Sequence, residues 1–173
     1  MRIVNYEFKA RINDEQRVRD ALKTLNARSI GTDHQVDTYF HVPAGRLKVR
    51  EGRIENALIF YRRSNARRAR QSAVEMMLLP RRNSLRVILA RALATLAVVD
   101  KRREIYFVKN VKIHLDRVRQ LGKFLEVEAI SRTGDVKKIR SQARHFQQLF
   151  GVTAKDIVAE SYSDLILAKN LKS

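Results

Sequence analysis

The chain has 173 residues, no cysteine, and a formal charge of +18 from 36 Lys and Arg against 18 Asp and Glu. Its length and 45% hydrophobic content predict one compact domain over residues 1–173, and the lack of thiols excludes disulfides, thiolate zinc sites and cysteine nucleophiles. The charge predicts a polyanionic partner: a nucleic acid, a nucleotide, polyphosphate or an anionic membrane surface.

Residues 2–12, RIVNYEFKARI, alternate as a strand. Asn5, Glu7 and Lys9 interrupt the apolar run, so a signal peptide is not expected, and no apolar segment is long enough to span a bilayer. A cytoplasmic protein without a membrane partner is the expectation. Asn13 with Gln16 resembles a capping pair opening a helix in which Val18, Ala21, Leu22 and Leu25 recur at helical spacing. Strands follow at VDTYF, RLKVRE, ALIFYRR and SAVEMMLL, the first two separated by a turn at Pro43 to Gly45. After Pro80 a second helix shows an apolar face of Leu85, Ile88, Leu89, Ala92, Leu93 and Leu96. Three more strands read as VVDKRREIYFV, VKIHLDRV and FLEVEAI. A helix with Val136, Ile139, Ala143, Phe146 and Phe150 then stops at Gly151, and Thr153 with Asp156 is expected to cap a last helix through Leu167.

The two halves share a plan: a strand with a glutamate (Glu7, Glu75), a helix, a strand ending in Tyr-Phe, then two more strands. Eight such strands, mostly antiparallel, can close as a barrel with helices outside and so remove exposed edges. The fold class expected is therefore α+β. Side chains two apart on a strand share a face. Arg46, Lys48 and Arg50 form one basic row, Glu7 and Lys9 point together, and Glu126 and Glu128 lie roughly 6.6 Å apart along their strand. Like charges that close repel unless a cation joins them. A triphosphate bound through divalent cations satisfies both rows, with guanidinium and ammonium groups on phosphate oxygens and carboxylates on Mg²⁺ or Mn²⁺. Salt ladders between strands are the plainer reading of the same pattern. His114 shares a face with Lys112 and Asp116, either as a group handling protons or substrate or as an oriented structural histidine. The Arg67 to Arg70 run reads as a loop over one tunnel mouth, and Tyr162 with Asp164 as anchors fixing the last helix to the barrel.

The segments NYEFKAR, DTYF, GRLKVRE, DKRRE, IHLDRVRQLGKFLEVE and ESYSDLI occur in the order found in the CYTH superfamily, the triphosphate tunnel metalloenzymes. The chain resembles that superfamily nearly end to end, and its class IV adenylate cyclase-like branch most. The resemblance implies an eight-stranded antiparallel tunnel, Mg²⁺ or Mn²⁺, and a triphosphate-bearing small molecule as substrate. It implies phosphate contacts from Lys9, Arg46, Lys48, Arg50, Arg63, Lys101 and Arg103. It implies metal ligands at Glu7, Glu126 and Glu128, with Asp116 near them and Glu75 as a further candidate. Lys9 and His114 are the candidate catalytic groups. The E-x-E-x-K signature of the family reads here as Asn5, Glu7 and Lys9, so its first acid is an amide. The activities implied are conversion of ATP to cyclic AMP and pyrophosphate or, alternatively, hydrolysis of inorganic tripolyphosphate, thiamine triphosphate or a nucleoside triphosphate. A non-catalytic RNA or polyphosphate binder explains the charge but not the acids.

Overall fold

The computed structural model describes residues 2–62 and 70–171. In chain order these form β1 (Arg2–Arg11), α1 (Glu15–Thr24), β2 (Arg28–Phe40), β3 (Arg46–Glu51), β4 (Ala57–Arg62), β5 (Arg70–Leu78), α2 (Leu85–Leu93), β6 (Thr95–Val108), β7 (Val111–Val118), β8 (Gly122–Ser131), α3 (Val136–Leu149) and α4 (Tyr162–Asn170). The strands close into one barrel in the order β1-β5-β4-β3-β2-β6-β7-β8, every neighbouring pair antiparallel. The repeat seen in the sequence is thus a strand exchange. The meanders β4-β3-β2 and β6-β7-β8 meet along β2 and β6, while β1 pairs with β8 and β5 with β4, each first strand joining the other half.

Alternation decides what each face does. On β1 the even residues Phe8 and Ala10 face outward with Ile113 and Leu115 of β7 and Leu125 and Val127 of β8. Val18 and Leu22 of α1, and Ile139, Ala143 and Phe146 of α3, cover that outer wall. Each Val, Leu, Ile or Phe among them stabilises by roughly 1.5–3 kcal/mol when removed from water. The odd residues of β1 face the interior. α2 lies against β2, and none of its residues is buried. Gly45 closes the β2–β3 turn at φ 72, where a Cβ would come within 2.8 Å of the Phe60 ring, so both backbone sign and space require glycine.

Several boundaries differ from the sequence reading. β2 begins at Arg28, eight residues before VDTYF, because it runs the whole length of β6, from Arg28 opposite Phe107 to Phe40 opposite Thr95. That seam also takes Leu96 into β6 rather than the helical face of α2. The cap of α1 is Asp14, whose carboxylate accepts from the Arg17 N–H, not Asn13. Thr153 and Asp156 bond each other in a separate turn. The last helix instead opens at Ser161, whose hydroxyl accepts from the Asp164 N–H while Asp164 accepts from the Ser161 N–H.

That last segment stops one end of the barrel. Val158, Tyr162 and Ile166 pack on Tyr39, Tyr61, Val99, Val118 and Phe124. Phe124 and Tyr162 meet edge to face at 5.0 Å, the Tyr162 hydroxyl donates to Asp116 at 2.7 Å, and Arg46 donates to Asp164 at 2.7 Å. Among the described residues no helix is long and apolar enough to cross a membrane.

Candidate active site

A cavity of about 660 Å³ fills the barrel. Its walls include Glu7 and Lys9 from β1, Lys48 and Arg50 from β3, Lys101 and Arg103 from β6, His114 from β7, and Glu126 and Glu128 from β8. Antiparallel register sets these in transverse rows. Lys112, Glu128 and Glu7 are neighbours across β7, β8 and β1, and His114, Glu126 and Lys9 form the next row.

The second row builds a compact group. His114 Nδ1 lies 3.5 Å from Glu126 Oε2 and 3.9 Å from Glu128 Oε1. One ligand atom from each of the three residues falls within 4.8 Å of the others. His114 is 1% exposed, and neither of its ring nitrogens has a hydrogen-bond partner among the described residues. Burial, followed by the Arg103 charge, pushes the imidazole down to about 3, so it is neutral. Burial, then Glu126 and Glu7, push the Glu128 carboxyl up to about 7. A buried neutral imidazole with both nitrogens orphaned, beside two carboxylates that repel each other, has the donor set and the charge deficit that a divalent cation relieves. Asn5 is buried in the same tunnel with its amide oxygen also unpartnered, a neutral oxygen donor where the family signature has an acid.

A second group gathers the bases. Asp37, fully buried on β2, accepts from Lys48 Nζ at 2.7 Å, from Lys101 Nζ at 2.7 Å, and from Arg50 through Nε at 2.8 Å and an Nη at 2.9 Å. Burial alone would raise the Asp37 carboxyl, but Arg50, Lys101 and Lys48 hold it well below its ordinary value. Three cations meet at this carboxylate, and among the described residues only Arg50 pairs with a second acid, Glu55. Burial, only partly offset by Asp37, and repulsion from Arg50, Arg103 and Lys48 accordingly push the Lys101 ammonium well below its usual range. Positive charge is in excess there, which is what an incoming anion would balance.

The predicted residues separate into those the barrel brings together and those it diverts. Lys9 reaches the site, 3.8 Å from Glu126, over the Tyr162 ring at 3.9 Å and donating to the Glu160 carbonyl. Arg103 stands beside the carboxylate–imidazole group, donating to Glu126 at 2.7 Å and to Asp116 through Nε at 2.6 Å. Asp116 is therefore a correction: it is held by Arg103 and Tyr162, lies outside the carboxylate–imidazole group and does not line the cavity. Arg46 is likewise diverted to Asp164 at the stoppered end. Glu75 is exposed on the outer face, because Ser72, Val74 and Met76 take the inward phase of β5, so it is no candidate ligand. Arg63 and the loop arginines Arg67 and Arg68 lie outside the described residues.

Sequence reading missed Asp37, Glu55 and Lys112. Asp37 alternates with Gln35 and Tyr39 in β2, a visible signal that the basic row distracted from. Glu55 gave none, since it sits in the β3–β4 connection. Asp33 turns that connection inward by accepting the Arg53 and Glu55 N–H groups, and Glu55 then pairs with Arg50 at 2.9 Å and with Lys112.

Comparison with known proteins agrees with this tunnel. A Methanocaldococcus jannaschii protein named "Putative adenylate cyclase MJ0240" is 22% identical over 175 residues, covering 94% of this chain and 98% of that one. The solved structure of the Pyrococcus horikoshii protein PH1012 superposes with a TM-score of 0.78 at 23% identity, over 93% of this chain and 98% of that one. A "putative adenylyl cyclase" from Hippeastrum, described as revealing a dominant triphosphatase activity, superposes at 0.61 with 13% identity, over 97% and 95%. The family model for the CYTH domain matches residues 4–162, and the chain belongs to the CYTH domain family.

Proposed function

We propose that this protein is a divalent-metal-dependent enzyme that hydrolyses a triphosphate in its tunnel. The observation that carries the reading is the pairing of a carboxylate–imidazole group (His114, Glu126, Glu128) with three cations gathered on one buried carboxylate (Lys48, Arg50 and Lys101 on Asp37) in one cavity stopped at one end. Glu126, Glu128 and His114 would hold the cation, with Glu7 and Asn5 beside them. Carboxylates suit Mg²⁺ or Mn²⁺, and an imidazole ligand favours Mn²⁺ of the two. Bound there, the metal supplies Lewis-acid neutralisation of phosphate oxygens.

The chain's own groups do the rest. Lys48, Arg50, Lys101 and Arg103 grip successive phosphates and neutralise charge as the bridging oxygen leaves with the bonding electron pair. Lys9, between Glu126 and the Tyr162 ring, orients the phosphate nearest the acids. Water attack on the terminal phosphorus needs only this positioning. A second reading, attack by a ribose hydroxyl on the α-phosphorus of ATP, is supported by the adenylate cyclase name carried by the M. jannaschii relative. Incubating the protein with ATP, tripolyphosphate or thiamine triphosphate and Mg²⁺ or Mn²⁺ separates them. Orthophosphate release supports hydrolysis, cyclic AMP with pyrophosphate supports the cyclase, and metal-dependent turnover that survives Glu126→Gln would refute the assigned site.

A further inference from the structure

The outside of the barrel carries a second concentration of positive charge. Register places His34 of β2 opposite Arg102 of β6, Arg102 opposite Arg117 of β7, and Arg117 opposite Lys123 of β8, a row of bases across four neighbouring strands. The row faces outward and is exposed, because Gln35, Lys101, Arg103 and Asp116 beside it take the buried phase. At about 4.8 Å per strand it spans about 14 Å. Like charges directly opposite each other destabilise a sheet, and the nearby acids only partly offset them. Glu15 of α1 meets Arg117 at 2.6 Å and Lys123 at 3.4 Å, and Asp100 meets His34 at 2.7 Å and Arg119 at 3.8 Å. Arg102, in the middle, pairs with no acid among the described residues. Arg117 and Arg119 remain 58% and 77% exposed despite their partners. The row and Arg119 line a depression of about 800 Å³ on this face.

We propose that this face binds a nucleic-acid duplex through its phosphate backbone, without reading sequence. A duplex carries one negative charge per about 1.7 Å of its axis, so several phosphates fall within the span of the row. No Phe, Tyr or Trp lines the depression, so it offers the bases of a single strand nothing to stack on. None of the exposed large apolar side chains lines it either, and an anionic bilayer would need such an anchor. The row lies on the other side of the wall from the tunnel groups, and the proposal is independent of the triphosphate reading.

The test is fluorescence anisotropy of a labelled random-sequence duplex titrated with the full chain in EDTA. Its strands end in 5′-hydroxyls, so no triphosphate is offered to the tunnel. Affinity should fall steeply between about 50 and 200 mM salt. Arg102→Glu combined with Arg119→Glu should weaken binding about tenfold or more and lower the salt slope by about 2, with the melting temperature unchanged. Arg102→Gln with Arg119→Gln, which removes charge without reversing it, should give a smaller loss in the same direction. Lys137→Glu with Arg140→Glu, an equal change of net charge at exposed positions of α3, should leave affinity within about twofold of wild type. Equal losses from the two reversed pairs would mean attraction by net charge alone and overturn the proposal. Tighter binding of a single strand of the same length, of polyglutamate or of phosphatidylserine vesicles would overturn it as well, and each of these results leaves the tunnel reading standing.

Discussion

The two acids that matter most in the tunnel carry opposite perturbations, and each makes a prediction. Glu128 is raised to about 7 from an ordinary 4.5, so between those values the folded protein holds a proton that the unfolded chain has lost. Stability of the metal-free protein then falls as pH rises through that window, and the penalty is full above it. Glu128→Gln should raise the metal-free melting temperature at pH 8, have little effect near pH 4, and abolish metal-dependent turnover. Melting curves against pH, with and without Mn²⁺, check this. Asp37 behaves oppositely. Its depressed carboxyl stabilises the fold fully above the ordinary carboxylate range, and the contribution is lost as pH falls toward the folded value. Asp37→Asn leaves Lys48, Arg50 and Lys101 mutually repelling in a fully buried site, and should cost about 3–5 kcal/mol. Tripolyphosphate should restore more stability to this variant than to wild type, measured as the shift in melting temperature.

At the scale of elements, α4 and the segment before it work as a stopper rather than as another outer helix. The Ser161–Asp164 capping box starts the helix, and the Tyr162 hydroxyl ties it to Asp116, which in turn aims Arg103 at Glu126. Tyr162→Phe keeps the edge-to-face contact with Phe124 but removes a hydrogen bond to a buried carboxylate. A loss of about 1–3 kcal/mol in denaturant unfolding is expected. Affinity for triphosphate should fall as well, since Arg103 loses the partner that fixes its carboxylate. Undiminished stability would mean that Asp116 is satisfied by Arg103 alone.

At the scale of the molecule, closure makes every strand internal. β1 pairs with β5 on one side and β8 on the other, and its outer residues Phe8 and Ala10 belong to the core under α1 and α3. Removing residues 1–11 would open two seams at once and expose both new edges. The truncated chain should show no cooperative thermal transition, and a cooperative one would show that the second half folds without its exchanged strand.

Much of this was written along the chain. Period-two alternation in NYEFKAR, RLKVRE and FLEVEA set which residues of β1, β3 and β8 share a face, because a pleated strand leaves no other choice, and the family resemblance turned the charged face inward. Strand number and antiparallel closure followed from the two-copy pattern, and the helix stop at Gly151 from its turn chemistry. What the chain could not express was pairing across it. Glu75 has the same local look as Glu7, yet the phase of β5, set by its neighbours β1 and β4, turns it outward. Asp116 and Arg46 carry the right charge on the right strands, but Arg103, Tyr162 and Asp164 reach them first. Asp37 becomes the counter-ion of three cations only when β2 is laid between β3 and β6. Local sequence determines which side chains share a face, whereas which face turns inward, and whether a charge there is spent or available to a ligand, is decided by contacts between strands far apart in the chain.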